Sequence, residues 1–332
     1  MATEVNNLMT MTMNLTANIS QGMTCKLTAG RLEKVVLPVL YSIIICVGLP
    51  ANFMALWMFL QQSYRKHGIL IYLTNLSMAD LISCLALPFR ATLLLMGDYW
   101  KERSPTCTTV MIIINFSFYY TMSCSTIFLA FTSISRYAMI VKPNNRKLNK
   151  FYDTSFAMHA CIVTWVIPII PILSLNLNYF FKEVNMLNDV GDSVCYNIQL
   201  QYGKKVSANA FVTVAIIFLI ILVMFAFSYA SIALHLCTVR RRSISQRNRV
   251  IHFRAQMIII AAMTGFIVCH LPYHIYQIVA GLQRLSNDDC QWLLETHHVK
   301  LISLWFVSLS SCLNPILYFL LSKSFVEHRF KR

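Results

Sequence analysis

Residues 206–238 read VSANAFVTVAIIFLIILVMFAFSYASIALHLCT, a stretch without one Asp, Glu, Lys or Arg, and Arg240-Arg241-Arg242 follows almost at once. A helix crosses the hydrocarbon core of a bilayer with about 20 largely apolar residues. This stretch exceeds that length and stops at a block of cations, as a membrane span does. Working outward, six more segments qualify: 34–60, 69–96, 107–140, 153–175, 252–282 and 297–321. Polar or charged connectors separate them and leave no room for a soluble domain. Several exceed the minimum length, so they are expected to tilt or project beyond the bilayer. The fold class is all-α membrane, a seven-transmembrane helix bundle over 34–321. A polar tail occupies 1–33, and 322–332 is expected to form a short amphipathic helix on the membrane surface.

Composition agrees. The chain is 57% hydrophobic and 12% charged, whereas soluble domains carry about a quarter charged residues. Its net charge of +15 would point to nucleic acid in a soluble protein, but the placement of the cations excludes that partner. Arg65, Lys66, Arg136, Lys142, Arg146, Lys147, Lys150, Arg240, Arg241, Arg242, Arg247, Arg249, Arg254, Lys323, Arg329, Lys331 and Arg332 all fall on one side of the seven-span topology. Asp153 and Glu327 are the acids among them. Lys and Arg beside spans stay cytoplasmic, which puts the N-terminus outside the cell, in the plasma membrane. Residues 1–30 hold no apolar run of the kind a cleaved signal needs. They do hold the glycosylation sequons Asn14-Leu15-Thr16 and Asn18-Ile19-Ser20, which matter only in a lumenal segment.

Polar residues inside a bilayer are costly and mark function. Asp80 lies mid-span, and Asn52, Ser125, Ser310, Ser311 and Asn314 lie within other spans. A carboxylate with converging hydroxyl and amide groups suits a small hard cation, a hydrogen-bonded switch or plain interhelical glue. Span seven ends Asn314-Pro315-Ile316-Leu317-Tyr318; Pro315 removes a backbone donor and loosens the helix there. Span three ends Ser135-Arg136-Tyr137, with Pro143 six residues beyond Tyr137. Span six holds Phe266, Cys269, His270, Pro272, Tyr273 and His274, and Trp165 marks the middle of span four.

In this order and spacing, Gly48-x-x-x-Asn52, Leu76-x-x-x-Asp80, Arg136-Tyr137, Trp165, Phe266-x-x-Cys269-x-x-Pro272 and Asn314-Pro315-x-x-Tyr318 resemble the rhodopsin-like G-protein-coupled receptors. The resemblance covers all but about the first thirty residues. It implies a receptor that carries an extracellular signal to heterotrimeric G proteins and arrestin. Arg136, Tyr137, Tyr229, Phe266, His270, Pro272, Asn314, Pro315 and Tyr318 would form the activation switch. Asp80, Ser125, Ser310, Ser311 and Asn314 match the family's sodium pocket, so an allosteric sodium ion is the one cofactor implied. Leu87-Pro88-Phe89-Arg90, Cys269 with Pro272-Tyr273-His274, and Lys300 ahead of Leu304-Trp305-Phe306 resemble the nucleotide and lysophospholipid branch, as does the lack of a proline near Ile221.

Several positions depart from the pattern. Ser135 replaces the usual acid beside Arg136, and His252 stands where some relatives carry an acid, so raised basal signalling is expected. His270 replaces an aromatic switch residue, and Gln277 a cation one turn above His274. Between Cys107 and Arg136 the chain is four residues longer than the family norm, about one helical turn.

Of eleven cysteines, Cys46, Cys84, Cys124, Cys161, Cys237, Cys269 and Cys312 lie in spans, where Cys behaves as a small apolar residue. Cys25, Cys107, Cys195 and Cys290 lie outside, where three pairings are open; the resemblance implies Cys107–Cys195 and Cys25–Cys290. A ligand among the outer halves of the spans would meet Arg90, Phe118, Tyr119, Met122, His274, Gln277 and Lys300. Arg90 and Lys300 have no acid beside them in sequence, and an arginine fork suits carboxylate or phosphate. An anionic lipid, nucleotide or carboxylic acid is expected. Alternatively both cations snorkel or pair with Asp98, Glu102, Asp288, Asp289 or Glu295. Anionic membrane lipids and the partner alike would meet the basic third loop, Arg240 to Arg254.

Other classes fare worse. A transporter would show repeats or broken helices in both halves, and the spans have no two-fold spacing. Intramembrane enzyme chemistry needs paired acids or a metal cluster, and the adjacent His297-His298 do not share a face as an i, i+4 pair does. A receptor without a diffusible agonist remains inside the same fold.

Overall fold

The computed structural model describes residues 30–62, 68–95, 105–174, 205–243, 245–286 and 290–329; side chains at 62, 105–109, 111–112, 205–211, 247–248, 284–286, 290–295 and 317–329 are not part of that description. A π-helical turn, Leu32–Val36, leads into α1, Leu37–Gln62; α2 spans Gly68–Leu95 and α3 Pro105–Val141. A short α4, Arg146–Asn149, and a 3-10 turn, Lys150–Tyr152, precede α5, Thr154–Val166. Then come α6, Lys205–Arg242, α7, Gln246–Ser286, and α8, Cys290–Arg329. Among the described residues seven helices are long and apolar enough to cross a membrane, and none of these residues is in a strand.

Composition and burial set the arrangement. Helices α1, α2, α3, α6, α7 and α8 pack in a closed ring, with α1 against both α2 and α8, while α5 lies outside on α2 and α3. The most apolar window of α3 is 61% buried and that of α5 is 22%, so α3 is the central post and α5 a peripheral buttress. Large apolar side chains point away from the ring, among them Ile170, Val223 and Leu234 at 73%, 68% and 71% exposed. In water such a belt would drive aggregation; in hydrocarbon it is the solvent-facing surface.

Several buried hydroxyls close on their own helices. Thr74 donates to the Leu70 carbonyl at 2.7 Å, Thr132 to Phe128 at 2.8 Å and Ser308 to Leu304 at 3.0 Å. Each polar group is thereby satisfied without water. In α5, Pro168 has no N–H for the ladder, and two turn residues at 167–168 separate Val166 from the helical residues that run to Ser174.

The helices outrun the apolar stretches. The segment expected at 206–238 belongs to a helix ending at Arg242, and the one expected to begin at 252 belongs to a helix starting at Gln246. The basic run Arg240 to Arg254 is accordingly not a loop: Arg240–Arg242 close α6 and most of the rest opens α7. The segment 322–329 is included in α8, and its expected seat on the membrane surface falls outside the described side chains.

Candidate functional site

Asp80, 1% exposed in the middle of α2, gathers the central polar network. Its Oδ1 accepts from Ser125 Oγ at 2.9 Å and its Oδ2 from Asn314 Nδ2 at 2.9 Å, so one carboxylate ties α2 to α3 and α8. One layer away, Asn52 Nδ2 donates to the Ser311 carbonyl at 2.7 Å and to the Gly48 carbonyl at 3.0 Å. The hydroxyl of Ser310 turns back to Val307 at 2.7 Å. Asp80, Ser125 and Asn314 are therefore joined directly, Ser311 also reaches the Asp80 carboxylate with its side chain while its carbonyl accepts from Asn52, and Ser310 bonds within its own helix. Ser77, one turn from Asp80, has a buried hydroxyl without a partner. An acid flanked by serine oxygens is a hard donor set that fits sodium. Among the described residues no group of three His, Cys, Asp or Glu side chains is arranged for a metal.

Toward the cationic end, Arg136 is 8% exposed and donates from Nη1 to the Tyr229 hydroxyl at 3.3 Å, joining α3 to α6. The Tyr137 ring lies 5.9 Å from Phe227. Ser135, fully buried, donates to the Phe151 carbonyl at 2.6 Å. The side chain of Tyr318 lies outside the described residues. Between this end and the opposite one an aromatic column runs along α6 and α7. Phe225 meets Tyr229 at 4.5 Å and Phe266 at 4.3 Å; Phe266 meets His270 at 4.6 Å; Phe218 stacks on His274 at 3.5 Å. Both ring nitrogens of His270 are buried without hydrogen-bond partners.

At the opposite end, the Arg90 guanidinium sits 4.4 Å over the Phe118 ring and 6.0 Å from the Tyr41 ring. Its Nη1 is buried and makes no hydrogen bond, and the buried Tyr41 hydroxyl approaches the guanidinium without making a well-formed one. Tyr119 packs edge-on to Phe118 at 5.6 Å and alongside Tyr273 at 6.4 Å. Gln277 Nε2 donates to the Tyr273 hydroxyl at 3.0 Å, which leaves Gln277 Oε1 buried and unpartnered. Met122 belongs to the same buried cluster, with Phe118, Tyr273, Leu301 and Leu304. Arg90, Phe118, Tyr119, Met122 and Gln277 are thus brought together, with His274 beyond Tyr273 at a ring distance of 5.3 Å. Lys300 is half-buried on α8. The acids named as alternative partners for the two cations lie outside the described side chains.

Two features escaped the sequence. Phe218, which stacks on His274, gave no signal, because one phenylalanine in an apolar span looks like any other. Glu33, which no sequence pattern singles out, is wholly buried. The π-helical turn holds its carboxylate 3.1 Å from His298 Nδ1 and 4.0 Å from His297 Nε2, while its Oε2 accepts from the Gly30 amide at 2.7 Å. The adjacent histidines do approach one group after all. The seven span cysteines are free thiols. Asn14, Asn18, Cys25 and Cys195, with the side chains of Cys107 and Cys290, lie outside the described residues.

Comparison with known proteins follows the same lines. The family model described as "7 transmembrane receptor (rhodopsin family)" matches residues 51–318. "Probable G-protein coupled receptor 82" of Mus musculus is 31% identical over 307 residues, covering 87% of this chain and 92% of that protein. "Proteinase-activated receptor 2" of Mus musculus is 28% identical over 313 residues, with 92% and 73% covered. "Probable G-protein coupled receptor 34" of Mus musculus is 26% identical over 294 residues, with 89% and 76% covered. With its seven apolar helices, the Asp80 network and a family match over most of its length, the chain belongs to the rhodopsin family of seven-transmembrane, G-protein-coupled receptors.

Proposed function

We propose that this receptor holds its N-terminus outside the cell and answers a small anionic ligand bound at Arg90, between the outer halves of the helices. The observation that carries the reading is the buried Nη1 of Arg90, which has no hydrogen-bond partner. A guanidinium removed from water needs a counter-charge or an acceptor, and the face of Phe118 meets only part of that need. A phosphate or carboxylate would complete it through the arginine fork, with Tyr41, Gln277 and His274 offering further polar atoms. An anionic lipid, a nucleotide and a carboxylic acid share this chemistry. The test is a panel of the three classes applied to cells expressing the receptor. Agonists found there lose at least about tenfold in potency with Arg90→Gln, the effect of one lost charge-assisted hydrogen bond. An agonist from the panel whose potency Arg90→Gln leaves unchanged contradicts the reading.

Orientation rests on the one-sided cations and on the sequons at Asn14 and Asn18. Glycosidase treatment increases the mobility of the wild-type chain and not that of the double Asn→Gln variant; an unglycosylated wild type argues against it. On the cytoplasmic face, the exposed Lys142, Arg146, Arg241 and Arg242 form a surface for arrestin and for anionic lipid heads. A sodium ion fits the oxygens of Asp80 and Ser125, where it would hold α2 and α3 together. Replacing sodium by choline raises basal signalling in the wild type and has no effect in Asp80→Asn. An equal choline effect in both counts against the ion.

Basal signalling is part of the proposal. Ser135 brings no charge to Arg136, and its hydroxyl is committed to Phe151, so the neighbouring residue does not lock the arginine. Signalling without any diffusible agonist is the second reading, favoured by the same observation.

A further inference from the structure

Ser135 has a second consequence, which lies in the segment joining α3 to α5. The 3-10 turn Lys150–Tyr152 lies against α3, and its Phe151 carbonyl accepts the Ser135 hydroxyl at 2.6 Å. A carbonyl oxygen can only accept. A serine hydroxyl can donate to it, whereas a carboxylate at the same position would set negative charge against the carbonyl dipole. The residue type at 135 therefore decides whether this carbonyl has a partner from α3.

The rest of the segment is built to hold one shape on that anchor. Asn145 Oδ1 caps α4 by accepting from the amides of Lys147 at 3.0 Å and Leu148 at 3.3 Å. Asn149 Nδ2 donates to the Pro143 carbonyl at 3.0 Å. The Phe151 ring packs 6.4 Å from Phe131 on α3 and 5.2 Å from Phe156 on α5. At the other edge Gly68 lies so close that a Cβ there would come within 2.6 Å of the Tyr152 carbonyl oxygen. Lys142, Pro143, Asn144, Asn145, Arg146 and Lys147 remain exposed, beginning six residues after Arg136. A protein approaching Arg136 from that end meets them.

We propose that Ser135 is the positioning residue of the segment 142–153: its hydroxyl fixes the register of this basic loop against α3, and so shapes the surface that a G protein meets beside Arg136. The proposal takes the cationic end as the cytoplasmic one. It separates two roles for the same serine. If Ser135 matters only as a missing acid, Ser135→Ala signals like the wild type, because alanine is no acid either. If Ser135 holds the loop, Ser135→Ala loses coupling while Ser135→Thr, which keeps a hydroxyl donor, retains it.

The experiment uses the full chain, purified in detergent, as wild type, Ser135→Ala, Ser135→Asp and Ser135→Thr. Two readouts are taken: the rate of trypsin cleavage after Arg146, Lys147 and Lys150, and the capture of heterotrimeric G protein, with Arg136→Ala as the control for specific capture. Cleavage rises about tenfold in Ser135→Ala and Ser135→Asp, the scale of one buried hydrogen bond, and stays at the wild-type rate in Ser135→Thr. Capture falls in step with cleavage. Wild-type cleavage in Ser135→Ala overturns the proposal, and so does equal loss of protection in Ser135→Thr and Ser135→Ala. Both readouts come from folded protein, because each variant is first required to elute as the wild type does on size exclusion. Capture that Arg136→Ala leaves intact would instead show that the G protein does not dock beside Arg136, which overturns the coupling half of the proposal, while the cleavage comparison decides the anchoring half on its own.

Discussion

At Gly48 the fold turns on a single missing methyl group. A Cβ there would lie 2.7 Å from Cys312 Sγ and 3.0 Å from Cys84 Sγ, so α1, α2 and α8 close on one another only because this position is glycine. The neighbours are small side chains on packed helices with little room to give. Gly48→Ala is expected to destabilise by about 1–3 kcal/mol, as overpacking does, seen as a lower thermal midpoint of the purified receptor. Adding Cys84→Ala and Cys312→Ala removes both clashing sulfurs and restores most of the loss, a coupling that a double-mutant comparison measures directly. Additive losses would show that the clash is not the cause. The Gly48-x-x-x-Asn52 spacing was legible in the sequence and so was the polarity of Asn52, but not the reason for the glycine, since the two sulfurs arrive from residues 36 and 264 positions away. Asp80 shows the same division. Its burial followed from its place mid-span, while its hydrogen bonds to Ser125 and Asn314 depend on how three helices are rotated, which one sequence leaves open. Glu33 shows the opposite case: a short π-helical turn changed which way the residue faces, and no pattern in LEKVV announces such a turn.

Elements were legible wherever apolar length decides. All seven spans were recognised from their apolar stretches, since the bilayer imposes a minimum apolar length on each. Their ends were not, because α6 and α7 continue through Arg240–Arg242 and residues 246–251 on helix propensity after hydropathy has stopped. Glycines within or beginning these helices differ in a way only packing reveals. A Cβ on Gly265 would meet its nearest neighbour, Leu313 Cδ1, at 3.8 Å, ordinary contact distance. A Cβ on Gly68 would press on the backbone of Tyr152 and Asp153 at 2.6–2.9 Å, and backbone cannot swing aside as a side chain does. Gly265→Ala is therefore expected to be neutral or to stabilise by about 0.4–1 kcal/mol through the unfolded chain. Gly68→Ala should lower the thermal midpoint and speed trypsin cleavage in the segment 142–153. Equal behaviour of the two variants would contradict the packing argument.

Across the whole molecule, two ends with different chemistry flank one polar network. One end buries a cation over aromatic rings, with hydrogen-bonding capacity left over at Arg90, Tyr41 and Gln277. The other carries Arg136 on Tyr229 and a basic loop anchored by Ser135. Between them Asp80 bonds α2 to α3 and α8, and Pro315 lies within α8 and Pro272 within α7, where each removes a backbone donor. Under the proposed function, a ligand at the first end would act on the second by its differential affinity for two states of the bundle. Family membership assigns a G protein as partner, and under the proposed orientation it meets the second end. The most direct test is G-protein activation in cells without added ligand, with the full chain beside Arg136→Ala at matched surface expression. Activation above the empty vector that disappears in the variant is the predicted result; activation no higher than vector, or equal in both chains, would contradict basal coupling through Arg136.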